Sequence, residues 1–229
     1  MMRRCFGVFV LAAMAIAMHP VPAAAQVRAR EEPLPDMRAI AKALGVNCNH
    51  CHIQGDFTSD ANPKKAIARQ MIAMTRGLNA TIAAATGKAA GEVTAIHCAN
   101  CHRGTTVPQT LPEALTATLL KKGPEAAVEQ YRDLRSKFYA KDTYDFSESE
   151  LLNFLAKVAE SRPDSALPLL RMNLEFNPRS AATYILMARV HQRKLDNATA
   201  IEMLNKALEI EPENGFAQGF IYQLAPRLK

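Results

Sequence analysis

Two pentapeptides, Cys48-Asn49-His50-Cys51-His52 and Cys98-Ala99-Asn100-Cys101-His102, restrict this chain more than any other feature, because C-x-x-C-H is the attachment signature of c-type haem. Two thiols three positions apart on one helical turn can each add across a haem vinyl group, and the imidazole that follows then lies beside the iron as proximal ligand. The expected cofactors are therefore two covalently bound haem c groups. Cys48, Cys51, Cys98 and Cys101 would be the thioether anchors, and His52 and His102 the proximal iron ligands. Zinc fits less well: the gap from Cys51 to Cys98 far exceeds the usual spacing between two C-x-x-C pairs, and a histidine after both pairs is left without a role. A thioredoxin-like motif needs a βαβ context that this sequence lacks, and a disulfide reading again leaves both histidines over.

The amino terminus agrees with that chemistry. Residues 1–25 run from Arg3-Arg4 through an apolar stretch, Cys5 to Met18, to Ala23-Ala24-Ala25, the pattern of a secretory signal peptide cut before Gln26. The apolar run is shorter than the ~20 residues a membrane span needs and ends at His19-Pro20. Cys5 leaves with the leader, so every remaining cysteine belongs to a haem motif. A periplasmic protein is expected, peripheral to the inner membrane if associated with it, with no transmembrane span after cleavage.

Charge separates the chain into two parts. The formal net charge is +6. Residues 26–112 hold ten Lys and Arg against six Asp and Glu, whereas residues 113–229 hold sixteen of each. The haem part is thus the basic part, and four propionates would offset most of the excess, so nucleic acid is not implied.

In the haem part, Asp36 can cap a short helix ending at Leu44, with Gly45 placed to terminate it. Met37 begins that helix, and folding it back through the turn before Cys48 offers its sulfur to the distal side of the first iron, a His/Met ligation that raises the reduction potential. The other reading of Met37 is a flexible core filler. A second helix starts at Asn62-Pro63 and runs to about Ala85, with Ile67, Met71, Met74, Leu78 and Ile82 on one face. Met74 is the preferred second distal ligand, Met71 the runner-up, with His97 or an open position as further choices. Lys64 and Lys65 stand at the positive end of this helix, where the macrodipole disfavours cations. A bound anion would explain them, and haem propionates are candidates for Lys64, Lys65, Arg69 and Arg103; solvated surface charge is the competing account. His50 is expected to face water.

These residues resemble a known family. Asp36-Met37 through Leu44-Gly45-Val46-Asn47-Cys48, Asp56-Phe57, Asn62-Pro63-Lys64-Lys65, Ala68 to Met74, and Cys98 to Gly104 with Pro108 are similar to the cytochrome c subunit of photosynthetic reaction centres. The resemblance covers roughly Pro33 to Pro112. It implies a distal methionine on a helix ahead of each C-x-x-C-H, in accord with Met37 and Met74. That family carries four haems and this chain has two motifs, half of the pattern.

The carboxyl-terminal part repeats itself. Pro178 and Pro212 are 34 residues apart, as are Leu152 and Leu186, Ala166 and Ala200, Leu170 and Leu204, Leu174 and Leu208, and Phe176 and Ile210. That is the tetratricopeptide period. Helix pairs are expected near Ser147–Ser161 with Asp164–Phe176 and Ser180–Lys194 with Asn197–Ile210, then a capping helix over Phe216–Leu224. Leu111–Phe138 should add one or two more helices.

The expected fold is all-α: a small dihaem c-type cytochrome domain followed by a tetratricopeptide-like array of helical hairpins. Its parts would be a signal peptide (1–25), the dihaem domain (26–112), a helical connector (113–143) and the repeats with a capping helix (144–229). The expected function is electron transfer with redox protein partners in the periplasm or at the membrane surface, the repeats serving for protein docking. No enzyme activity is expected. A dihaem peroxidase with one open iron and a haem-bearing assembly subunit are the alternatives.

Overall fold

The computed structural model describes residues 36–225. The expected signal peptide and Cys5 lie outside them. Among the described residues the fold is all-α, without a β-strand, and no helix is long and apolar enough to cross a membrane.

The haem motifs sit among three helices. α1 (Met37–Leu44) starts where the Asp36 carboxylate accepts the backbone N–H groups of Arg38 and Ala39, and it stops at Gly45, whose left-handed φ of 65° ends the helix. The first motif follows as a 3-10 turn, Cys48–His50. α2 (Pro63–Thr86) takes Asn62 as its cap, with the side-chain Oδ1 of Asn62 accepting from Lys64 N–H, while its Nδ2 donates to the His50 carbonyl at 3.1 Å. One side chain thereby fixes the start of α2 against the first motif. α3 (Cys98–His102) is the second motif itself. Asn79 ties its approach to α2, donating to the Ile96 carbonyl at 2.9 Å and accepting from its N–H at 2.7 Å.

The remaining helices are α4 (Leu111–Lys122), α5 (Pro124–Phe138), α6 (Glu148–Ser161), α7 (Pro163–Phe176), α8 (Ala181–Arg193), α9 (Asn197–Ile210) and α10 (Gly215–Leu224). α4 has a full capping box, Thr110 with Glu113, and Gly123 breaks α4 from α5 at φ 91°. α6 pairs with α7 and α8 with α9, and α7 packs on α8 so that the pairs stack. Residues 34 apart occupy matching places: Ala166 and Ala200 are both fully buried, as are Leu170 and Leu204, while Leu174 and Leu208 both flank the core. Burying such a leucine contributes roughly 1.5–3 kcal/mol. Between the pairs Asn173 donates to the Thr183 hydroxyl at 2.6 Å and accepts from Asn177 at 2.8 Å, satisfying polar atoms in the interior.

A hydrogen bond ties the second motif to the helices that follow, and an arginine ties those helices to one another. The buried Thr143 hydroxyl donates to the Arg103 carbonyl at 2.6 Å, directly after the second motif. Arg135 lies over the rings of Tyr139 and Phe176, 4.2 and 4.7 Å from their centroids, and holds α5 to the first helix pair.

Candidate functional site

Both motif histidines use one ring nitrogen in the same way. His52 Nδ1 is 3.1 Å from the Phe57 carbonyl oxygen, and His102 Nδ1 is 3.0 Å from the Thr105 carbonyl oxygen. A carbonyl only accepts, so Nδ1 carries the proton in each ring and Nε2 keeps its lone pair for a metal. Such a second bond orients a ligating imidazole and raises its basicity. The acceptors come from short turns: Phe57 lies five residues past His52, and Thr105 N–H returns to the His102 carbonyl at 2.9 Å.

Two adjoining cavities lie beside these histidines. The first, about 330 Å³, is lined by Met37, Cys48, Cys51, His52 and Phe57, with Ile40, Leu44, Ala68, Arg69 and Ile72 in its walls. Met37, at the start of α1, thus shares a cavity with the first motif. The second, about 490 Å³, is lined by Cys98, His102, Met71, Ile67, His50 and Lys64, among others. Both volumes fall in the range of cofactor sites, roughly 300–1,000 Å³. Ile40, Leu44, Cys51, Ala68 and Ile72 belong to both linings, so the cavities share a wall. Cys48, Cys51, Cys98 and Cys101 are free thiols, although Cys101 is exposed and lines neither cavity.

The donor set fits a covalent haem at each place: thiols for thioether bonds, a histidine with a free Nε2, a methionine, and apolar walls. α2 fits the same role. Its 24 residues include none that is buried in protein, and its apolar side chains Ala68, Met71 and Ile72 line the cavities.

The second methionine differs in place from its helical-wheel reading. Met74 is 54% exposed and lines neither cavity, whereas Met71 lies in the wall that holds Cys98 and His102. The half-buried positions of α2 are Lys65, Ala68, Met71, Ile72, Thr75, Asn79, Ile82 and Ala83, a stripe that keeps Met71 and Ile82 of the expected face and leaves Ile67, Met74 and Leu78 exposed. Asn79, clamped to Ile96, lies on that stripe. His50 lines the second cavity instead of facing open water, because the Asn62 bond to its carbonyl folds the turn inward. His97 is exposed, its N–H capped by Asn100 at 2.7 Å.

The basic residues also have particular partners. Arg69 makes a two-pronged pair with Asp60, at 2.9 and 2.7 Å, and Lys65 Nζ reaches the same carboxylate at 3.0 Å. The Arg69 hydrogen bond, then that of Lys65, hold the Asp60 carboxyl well below its usual range. Lys65 and Arg69 thus have an anionic partner within the chain, Asp60, nine residues before Arg69 in sequence. Lys64 lines the second cavity, and Arg103 takes a left-handed φ of 45°. Asp56 organises the same loop: hydrogen bonds from the Thr58 hydroxyl and Ser59 N–H lower its pKa.

A family model described as "Photosynthetic reaction centre cytochrome C subunit" matches residues 36–200, reaching well into the helical pairs. Cytochrome c-554 of Chloroflexus aurantiacus is 36% identical over 63 residues, 28% of this chain and 15% of that protein. The photosynthetic reaction center cytochrome c subunit of Rubrivivax gelatinosus is 33% identical over 94 residues, 37% of this chain and 26% of the relative. That of Thermochromatium tepidum is 36% identical over 62 residues, 27% of this chain and 14% of the relative. The chain thus spans about a quarter or less of the length of each curated relative it matches.

Proposed function

Since the chain belongs to the photosynthetic reaction centre cytochrome c subunit family, we propose that it is an exported dihaem c-type cytochrome that transfers electrons between redox proteins. The pair of Nδ1-to-carbonyl hydrogen bonds, at His52 and His102, carries this reading, because it prepares two imidazoles alike for metal ligation within two C-x-x-C-H motifs. Cys48 and Cys51 would anchor one haem and Cys98 and Cys101 the other. His52 and Met37 would hold the iron of the first. For the second, His102 would pair with Met71, which the cavity lining supports over Met74.

A bound haem supplies a ferric/ferrous couple, and the protein supplies axial ligands, burial and orientation. Ile40, Leu44, Ala68 and Ile72, common to both cavities, would keep water from the space between the two sites, which lowers the local polarity and favours the less charged ferrous form. Thioether attachment is an export-side chemistry, in keeping with cleavage of residues 1–25 and a periplasmic location.

The parts proposed are a dihaem region (26–112), a connector (113–143) and a tetratricopeptide-like region (144–229) that docks a protein partner. The 34-residue period supports the last of these. A reductive titration tests the core of the reading: the purified chain should take up two electrons, both reversibly. Uptake of one, or turnover of peroxide by the reduced protein, contradicts it.

A further inference from the structure

The carbonyl that receives His52 is shared. Phe57 O accepts His52 Nδ1–H at 3.1 Å and also Lys65 Nζ at 3.0 Å. The Lys65 ammonium is held there by the Thr58 carbonyl at 2.8 Å, the Ser59 carbonyl at 2.9 Å and Asp60 at 3.0 Å, and its side chain is only 12% exposed. His102 has the corresponding bond to Thr105 O, and among the described residues no lysine donates to that carbonyl.

The asymmetry has a physical consequence. A carbonyl accepting from a proximal imidazole pulls on its Nδ1 proton and makes the ring a more basic ligand, which stabilises the ferric ion. A cation on the same oxygen competes for its electron density and weakens that pull. The positive charge also disfavours the more positive oxidation state directly. Both effects have the same sign. Asp60, paired with Lys65, offsets part of them.

We propose that Lys65 is a positioning residue that acts through Phe57 O on His52, raising the reduction potential of the His52 site relative to the His102 site, with Asp60 moderating the effect. The inference rests on His52 being a haem ligand.

Spectroelectrochemical titration of the full, haem-loaded chain tests it, comparing the unsubstituted protein with Lys65→Met, Lys65→Arg and Asp60→Asn. In Lys65→Met one midpoint should fall, with about a tenfold change in the ferrous-to-ferric ratio at fixed potential, about 59 mV for a one-electron couple, while the other stays in place. Lys65→Arg should keep the original midpoint. Asp60→Asn, which alters an exposed carboxylate and leaves the carbonyls around Lys65 intact, should raise the same midpoint. The nuclear magnetic resonance signal of the His52 ring proton should move in these variants and that of His102 should not. Opposite signs for the two charge removals are the mark of an electrostatic role, since loosening of the loop would move the midpoint the same way in both. An unchanged midpoint in Lys65→Met, or a shift of equal sign in Asp60→Asn, overturns the proposal. A chain with no haem on Cys48 and Cys51 overturns the reading beneath it as well, and the absorption of the reduced protein distinguishes that failure from the first.

Discussion

Gly45 and Gly104 meet backbone to backbone: a Cβ placed on Gly45 would overlap the Gly104 carbonyl. Gly104 N–H donates to the Ala43 carbonyl at 2.7 Å in the same contact. The segment entering the first C-x-x-C-H is thereby fixed to the segment leaving the second. This is why α1 packs on α3, and why the two cavities share a wall.

Gly45→Ala should therefore be costly twice over, through its φ of 65° and through the overlap. The left-handed conformation costs about 1–2 kcal/mol, and forced displacement of packed atoms about 1–3 kcal/mol. Gly87 has φ 63° with nothing near its would-be Cβ, so Gly87→Ala should show the backbone part alone. Urea unfolding of both variants checks the difference; equal losses would mean that the Gly45–Gly104 contact contributes nothing.

Thr143 carries the other connection. Thr143→Val keeps its shape but leaves the Arg103 carbonyl without its partner, a loss of about 1–3 kcal/mol if that oxygen stays buried. Hydrogen exchange should quicken at Thr105, whose N–H bonds the His102 carbonyl, and not at Thr183 in the helical pairs.

Carbon monoxide reads the distal ligands. With a methionine on each iron, the reduced chain should take up the gas slowly or not at all. Met71→Ala should admit one equivalent per chain rapidly, as should Met37→Ala, and Met74→Ala should leave uptake unchanged. If Met74→Ala opens the second site and Met71→Ala does not, the assignment reverses. Rapid uptake by the unsubstituted chain would instead indicate an open iron, as a peroxidase requires.

Acid should open the loop that receives His52. Asp60 and Asp56 both have folded pKa values below the ordinary 3.8, Asp60 through Arg69 and Lys65, Asp56 through Thr58 and Ser59. A depressed carboxyl stabilises the fold fully above its unfolded pKa, and the contribution disappears as pH falls below it toward the folded value. Amide protection at Thr58 and Ser59, both bonded to Asp56, taken relative to the intrinsic exchange rate at each pH, should thus hold above about pH 4 and decline below it. Asp60→Asn should reduce the pH dependence of the loop as a whole, and an unchanged profile would contradict the assignment.

What the sequence made legible was local. Asp36 and Gly45 bracket α1, Asn62-Pro63 opens α2, and the period of 34 places Ala166 with Ala200 and Leu170 with Leu204, because caps and apolar periodicity act over a few residues. The pairing of Lys65 and Arg69 with Asp60 was not legible, since Asp60 arrives by a loop whose path no helical pattern encodes. That Met71 and not Met74 lines the cavity with Cys98 and His102 depends on the rotation of α2, and the contact between Asn79 and Ile96, 17 residues apart, is invisible to a helical pattern. Gly45 and Gly104 flank different motifs, and their contact left only two glycines as its sequence trace. A glycine after each short helix could have suggested it, but terminating a helix already accounts for Gly45.

The most direct measurement is the mass of the purified mature chain under denaturing conditions, after expression with a working haem-maturation system. Covalent attachment at both motifs predicts the mass of the polypeptide plus two haems, falling by one haem when Cys48 and Cys51 are both replaced by alanine and by one when Cys98 and Cys101 are. A mass equal to that of the polypeptide alone would contradict the account.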